Sequence, residues 1–208
     1  MRIEAILFDL DGTLVDSAED IGLVLRKTLK EIGLEEYFPQ NIRDYIGGGV
    51  KALLERTLGD KFKEEYVGIF RKFYLENPVV YTRPYEGIPE ILSDLKNKGY
   101  KLAVVSNKLE ELSREILKRI GLMSYFDFIA GGDTFSEKKP SPVPILKTLE
   151  IMGIEPSSSL IVGDTEADIV AGREAGVKTA LAMWGYVKLN SVKPDFILNL
   201  PRDLMKIL

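Results

Sequence analysis

Short apolar runs bounded by turn residues recur along this chain. They fall at residues 3–8, 102–105, 128–130, 160–162 and 179–182, with a weaker one at 196–198. Runs this short and this continuous are the mark of strands buried on both faces. From residue 87 onward they alternate with stretches whose apolar residues recur three and four apart, at 89–98, 111–120, 143–152 and 166–175. Gly99, Gly121, Gly153 and Gly176 follow these stretches. Glycine just past the last periodic residue is the expected left-handed helix end. Strands alternating with helices of this length predict βαβ units, and so an α/β fold with a parallel sheet and helices on both faces.

Residues 16–80 break the alternation. Ser17 with Asp20 resembles a capping box, and Ile21, Val24, Leu25, Leu29 and Ile32 form a stripe ending at Gly33. Further helical patterns are expected at 40–46, 50–58 and 62–75, with no convincing strand between them. The expected division is therefore a core of residues 1–15 and 81–208, interrupted by a helical domain over 16–80.

Composition narrows the chemistry. The chain contains no Cys and no His, which removes thiolate and imidazole nucleophiles, disulfides and zinc sites of the usual type. An enzyme built this way must work with carboxylates, hydroxyls, Lys and hard metal ions. A net charge of −4 disfavours a general nucleic-acid binder. No apolar stretch approaches the roughly 18–20 residues needed to span a bilayer. The first run, Met1-Arg2-Ile3-Glu4-Ala5-Ile6-Leu7-Phe8-Asp9, is broken by Glu4 and Asp9 and reads as a core strand rather than a signal peptide. A cytoplasmic location is the default expectation.

Four polar segments stand where ligands bind in such sheets, at the carboxyl ends of strands. Asp9-Leu10-Asp11-Gly12-Thr13 follows the first run. Two carboxylates at i and i+2 on extended backbone project to one side and repel, so they share a proton or a cation. Asp-Gly-Thr also occurs in ordinary turns. Val105-Ser106-Asn107-Lys108 suits phosphate oxygens, although Ser-Asn alone is more often a helix cap. Lys139, in Lys138-Lys139-Pro140-Ser141-Pro142, can offset a phosphoryl group or a crowded carboxylate pair; a solvated charged loop is the commoner case for Lys-Lys-Pro alone. Asp164 ends a strand and Asp168 lies one helical turn on, where acidic residues also serve as dipole caps. No turn-or-cap account predicts all four in this order.

The set resembles the four motifs of the haloacid dehalogenase superfamily, whose fold is a Rossmann-like core with an inserted helical (C1-type) cap. The similarity is greatest to its phosphoglycolate phosphatase branch, through DLDGTLVDS, SNK, KPSP and VGDTEADIVAGREAGV. The resemblance implies a phosphatase in which Asp9 takes the phosphoryl group as an aspartyl-phosphate. Asp11 would protonate the leaving oxygen and then deprotonate water. Thr13, Ser106 and Asn107 would hold the phosphate, and Lys139 would offset charge. Mg²⁺ would sit between Asp9, the Asp11 backbone carbonyl and Asp164, with Asp168 in support.

Asp11 argues against dehalogenation and against carbon–phosphorus cleavage, since family members with those activities lack that carboxylate. Transfer to a sugar hydroxyl, as in β-phosphoglucomutase, pyrophosphate hydrolysis, and a module that binds a phosphorylated metabolite without turnover remain alternatives. Gly47-Gly48-Gly49 could present N–H groups to the substrate's distal carboxylate or simply connect two helices. Gly49, Lys51 and Arg43 are candidate anchors there. The expected partner is a small phosphorylated substrate, with neither nucleic acid nor membrane, and the protein a monomer or homodimer.

Overall fold

The computed structural model describes residues 3–186, 189 and 191–208. Met1 and Arg2 of the first predicted run lie outside the described residues. In chain order the elements are β1 (Ala5–Phe8), β2 (Val15–Asp16), α1 (Ala18–Glu31), α2 (Gly49–Leu58) and α3 (Glu65–Glu76). There follow β3 (Arg83–Pro84), α4 (Ile88–Asn97), β4 (Lys101–Val105), α5 (Glu110–Arg119) and β5 (Phe128–Ala130). The chain continues through α6 (Val143–Met152), β6 (Ser159–Gly163), α7 (Glu166–Glu174), β7 (Lys178–Ala182) and β8 (Phe196–Leu198).

Six strands form one parallel sheet in the order β5-β4-β1-β6-β7-β8. β1 lies at its centre, and all four of its residues are buried, which is why its sequence is continuously apolar rather than alternating. Successive side chains still go to opposite faces. Ile6, Phe8, Val104 and Val162 pack with Ile88, Leu92 and Leu95 of α4 on one face. Leu7, Ala103, Val105 and Ile161 pack with Ile145 and Leu149 of α6 on the other. The α/β architecture expected from the sequence is the one observed.

Between β2 and β3 the chain builds a third apolar cluster from Leu25 and Leu29 of α1, Leu53 and Leu54 of α2, and Phe70 and Tyr74 of α3. Leu112 and Ile116 of α5 complete it, so this helical core is shared with the sheet's own layer. β2 and β3 pair antiparallel, Val15 with Pro84 and Asp16 with Arg83. That two-stranded ribbon is invisible in the sequence pattern, because two residues per strand leave no periodicity to read.

Two local expectations are corrected. Residues 40–46 do not form an α-helix; a single 3₁₀ turn, Ile42–Asp44, is present instead. Its cause is local: the Asn41 side chain accepts a hydrogen bond from the Arg43 N–H at 3.2 Å, which closes a short turn and competes with helix. The Ser17–Asp20 capping box is also absent. Ser17 Oγ instead donates to Asp11 Oδ1 at 2.5 Å. Asp20 accepts from the backbone N–H groups of Val80, Tyr81 and Thr82 and from the Thr82 hydroxyl, at 2.6–3.1 Å. Among the described residues, no helix is long and apolar enough to cross a membrane.

Candidate active site

The strand order places the site. β4 and β6 flank β1 on either side, and their registers align Phe8 with Val104 and with Val162. Asp9 follows the last residue of β1, and Ser106 and Asp164 follow Val105 and Gly163, the last residues of β4 and β6. Asp9, Ser106 and Asp164 therefore emerge side by side where the order of the sheet reverses, the expected position of a ligand crevice.

Asp9, Asp164 and Asp168 bring one carboxylate oxygen each within 4.8 Å of one another, and all three are buried. Lys139 joins them: its ammonium donates to Asp9 Oδ1 at 2.8 Å, to Asp168 Oδ1 at 2.6 Å and to the Val105 carbonyl. All three N–H donors are thereby used. Burial pushes the Asp9 carboxyl up to about 7, reinforced by Asp168 and Asp11 and opposed by Lys139. Asp164 is raised well above the carboxylate range by burial and by the charges of Asp9 and Asp168. Lys139 is held above its ordinary value: burial lowers it, but the charges of Asp168 and Asp9 outweigh that. Three buried carboxylates against one ammonium leave a net negative hollow of hard oxygens. This donor set fits a divalent cation of the Mg²⁺ type, which favours carboxylate oxygen.

Asp168 closes a capping box as well. Its Oδ2 accepts from the Thr165 N–H and hydroxyl at 3.0 and 2.6 Å. It is thus the cap that the sequence allowed and, in addition, a partner of Lys139. Gly12 has φ +92°, and a Cβ there would come 2.2 Å from Asp164 Oδ2. Only glycine lets the loop after β1 lie against that carboxylate.

Asp11 has partners outside the trio. Its Oδ2 lies 3.0 Å from Lys108 Nζ, and its Oδ1 accepts from Ser17. Lys108 in turn donates to the Tyr74 hydroxyl of α3 at 3.0 Å. Asp9, Asp11, Ser106, Asn107, Lys108 and Lys139 border one cavity of about 120 Å³, which the helical insertion covers with Gly47–Gly49, Leu53, Phe70 and Tyr74.

Not every predicted anchor reaches this cavity with its polar group. Thr13 is fully buried, and its hydroxyl donates to Asp164 Oδ1 at 3.3 Å. Asn107 Nδ2 donates to the Lys139 carbonyl at 2.8 Å, while its Oδ1 is buried without a partner among the described residues. Lys51 borders the cavity, but its ammonium pairs with Glu64 at 2.7 Å in solvent. Arg43 pairs with Asp16 at 2.6 Å. Gly49 opens α2 at φ +86°, where a Cβ would come 2.7 Å from the Asn107 carbonyl; close contact between insertion and core is the observed reason for glycine there.

Three side chains escaped the sequence reading. Lys108 sits in the Ser-Asn-Lys segment, where its sequence position assigns it no role. Tyr74 looks like one more core aromatic on an amphipathic helix. Tyr186 lies in a loop without periodicity, yet its N–H donates to Asp164 Oδ2 at 2.8 Å and its hydroxyl to Asp16 Oδ1 at 3.1 Å. Nothing local in the sequence singles it out.

The chain is similar to known proteins along its whole length. Residues 6–182 match the family described as haloacid dehalogenase-like hydrolase. A phosphoglycolate phosphatase of Aquifex aeolicus is 69% identical over the whole chain and 97% of its own length. An N-acetylmuramic acid 6-phosphate phosphatase of Pseudomonas aeruginosa is 34% identical, covering the whole chain and 96% of that protein. A crystal structure from Haemophilus somnus, described as a predicted phosphoglycolate phosphatase, superposes with a TM-score of 0.89 at 31% identity, covering 100% of this chain and 98% of that one.

Proposed function

We propose that this chain, which belongs to the haloacid dehalogenase-like hydrolase family and is a phosphatase, hydrolyses 2-phosphoglycolate through an aspartyl-phosphate on Asp9. The observation that carries the reading is the placement of Asp9: a buried carboxylate at the end of the central strand, one oxygen on Lys139, bordering a cavity it shares with Asp11. The substrate is supported by the 69% identity to a phosphoglycolate phosphatase.

Asp9, Asp164 and the backbone carbonyl of Asp11 would hold Mg²⁺, with Asp168 nearby, and the bound ion would supply charge neutralisation for the phosphoryl oxygens. Lys139 holds Asp9 in place and fixes which oxygen remains free to attack. An oxygen of Asp9 attacks phosphorus, the bond to the bridging oxygen breaks, and the proton on Asp11 passes to the departing alkoxide. Water then attacks the aspartyl-phosphate and gives its proton to Asp11. The phosphorus–Asp9 bond breaks, which restores the carboxylate and releases phosphate. Ser106 and the N–H groups near Asn107 border the phosphate position. The helical insertion over 16–80 would act as the cap that excludes water and shapes the leaving-group end. The net negative charge and the absence of a basic stripe support a small-molecule substrate rather than nucleic acid.

The test is a substrate panel with Asp9→Asn alongside. With Mg²⁺, the wild type should prefer 2-phosphoglycolate over sugar phosphates, pyrophosphate and N-acetylmuramic acid 6-phosphate. Asp9→Asn should lose all turnover and form no acid-stable, base-labile phosphoenzyme. Turnover in the variant would remove the covalent route, and preference for another ester would remove the substrate.

A further inference from the structure

Lys108 is a buried cation to which the hydrolytic steps above assign no task. It stands in the loop after β4 with its side chain 7% exposed, its ammonium shared between Asp11 of the core and Tyr74 of the insertion. It also lies 4.3 Å from the centroid of the Tyr74 ring. Burying an ammonium beside Leu53, Phe70 and Leu112 is costly unless anions compensate it. Holding Asp11 is not reason enough, because Ser17 already grips the other oxygen of that carboxylate at 2.5 Å. The remaining cations bordering the cavity are engaged elsewhere or face solvent. Lys139 has three partners, Lys51 faces Glu64, Lys138 donates to the Gly48 carbonyl, and Arg71 is exposed. Two partners also leave Lys108 one of its three N–H donors for an occupant of the cavity.

Position decides which occupant. Asp11 must reach the bridging oxygen of the ester to protonate it, and Lys108 touches that same carboxylate. A group bound by Lys108 therefore lies next to the leaving oxygen, only a bond or two further along the alcohol. A 2-phosphonooxy acid carries its carboxylate there; a sugar or simple alcohol carries carbon and hydroxyl. We infer that Lys108 is the specificity-determining residue of this site, receiving on its ammonium the carboxylate that a short 2-phosphonooxy acid places two bonds from the bridging oxygen. The inference rests on the phosphoglycolate reading and names the residue that recognises the acid. A charged donor behind apolar walls discriminates strongly, since an ester lacking the anion leaves it uncompensated.

Two esters that differ only at that group provide the test: 2-phosphoglycolate and 2-hydroxyethyl phosphate, assayed with the full chain at saturating Mg²⁺. The wild type should prefer the acid. Lys108→Met should lower kcat/KM on both esters, and on the order of 10²-fold more on the acid, the extra loss lying in KM. Lys108→Arg, which keeps the charge, should retain most of the preference. Calorimetry gives a readout free of turnover: 3-phosphonopropionate should bind the wild type more tightly than propylphosphonate, and the difference should vanish in Lys108→Met. Lys108→Gln repeats both comparisons should the Met variant fail to fold. If the substituted enzyme keeps the wild-type ratio between the esters, Lys108 only positions Asp11 and the inference is overturned. If the wild type itself shows no preference, the phosphoglycolate reading fails first.

Discussion

Lys139 and Asp9 are separated by 130 residues of sequence and by 2.8 Å in space. The contact joins the loop after β5 to the end of β1 and lies under a second carboxylate, Asp168. Replacing Lys139 by Met would leave both anions without their cation in a buried site. Breaking a buried pair on one side costs about 3–5 kcal/mol. We expect Lys139→Met to melt well below the wild type and to lose on the order of 10³-fold in kcat on p-nitrophenyl phosphate. Lys139→Arg should rescue neither, because a planar fork cannot serve the three separate acceptors of one ammonium. A kcat near wild type in either variant would show that the lysine is dispensable for the reaction.

Asp164 is fully buried, and burial together with the charges of Asp9 and Asp168 raises its carboxyl. Asp164→Asn should relieve the repulsion, leave the fold intact and weaken the site for cations. The expected result is at least a tenfold rise in the Mg²⁺ concentration for half-maximal activity, together with a matching loss of affinity by calorimetry on the protein alone. An unchanged titration would mean that the ion does not bind through Asp164.

Asp11→Asn separates proton transfer from metal binding. If only the backbone carbonyl of Asp11 meets the ion, Mg²⁺ affinity should change little. The rate on an alkyl phosphate should fall on the order of 10²–10⁴-fold. On p-nitrophenyl phosphate, whose leaving group needs no proton, one equivalent of phenolate should appear in a burst, followed by slow hydrolysis of the phosphoenzyme. Equal slowing of both esters without a burst would refute the acid–base role.

Asp20 makes a stability prediction away from the chemistry. Burial opposes its ionisation, but the Thr82 hydroxyl and the N–H groups of Val80, Tyr81 and Thr82 prevail and hold its pKa below the ordinary value. Asp20→Ala strands those donors and should cost about 2–4 kcal/mol in urea unfolding at pH 7. A depressed folded-state pKa contributes stability above the unfolded value and loses it as pH falls through the folded one. The gap between wild type and variant should therefore narrow below about pH 4. A gap that stays constant down to pH 2 would show that the carboxylate charge is not what is being read.

The strand ends were legible because each carries its polar residue within two positions of an apolar run; Asp9, Ser106 and Asp164 need only the parallel order to become neighbours. Lys139 was legible from its loop and from the carboxylates it must serve. What local pattern could not show were contacts made across the fold. Ser17 and Asp20 have the spacing of a capping box, yet Asp11 and residues 80–82 compete for them and win. Lys108 and Tyr74 meet only when α3 folds against the loop after β4. Tyr186 reaches Asp164 and Asp16 from a loop with no period at all.

The ribbon of β2 and β3 has an evolutionary corollary. Outgoing and returning backbone are hydrogen-bonded neighbours, so whatever is threaded between them begins and ends at one point on the molecule. Any peptide whose termini lie a strand's width apart could be spliced in there without disturbing the strand order, as loop insertions are where chain ends approach. Exchange at this doorway would replace the covering helices while leaving the carboxylates at the ends of β1 and β6 in place.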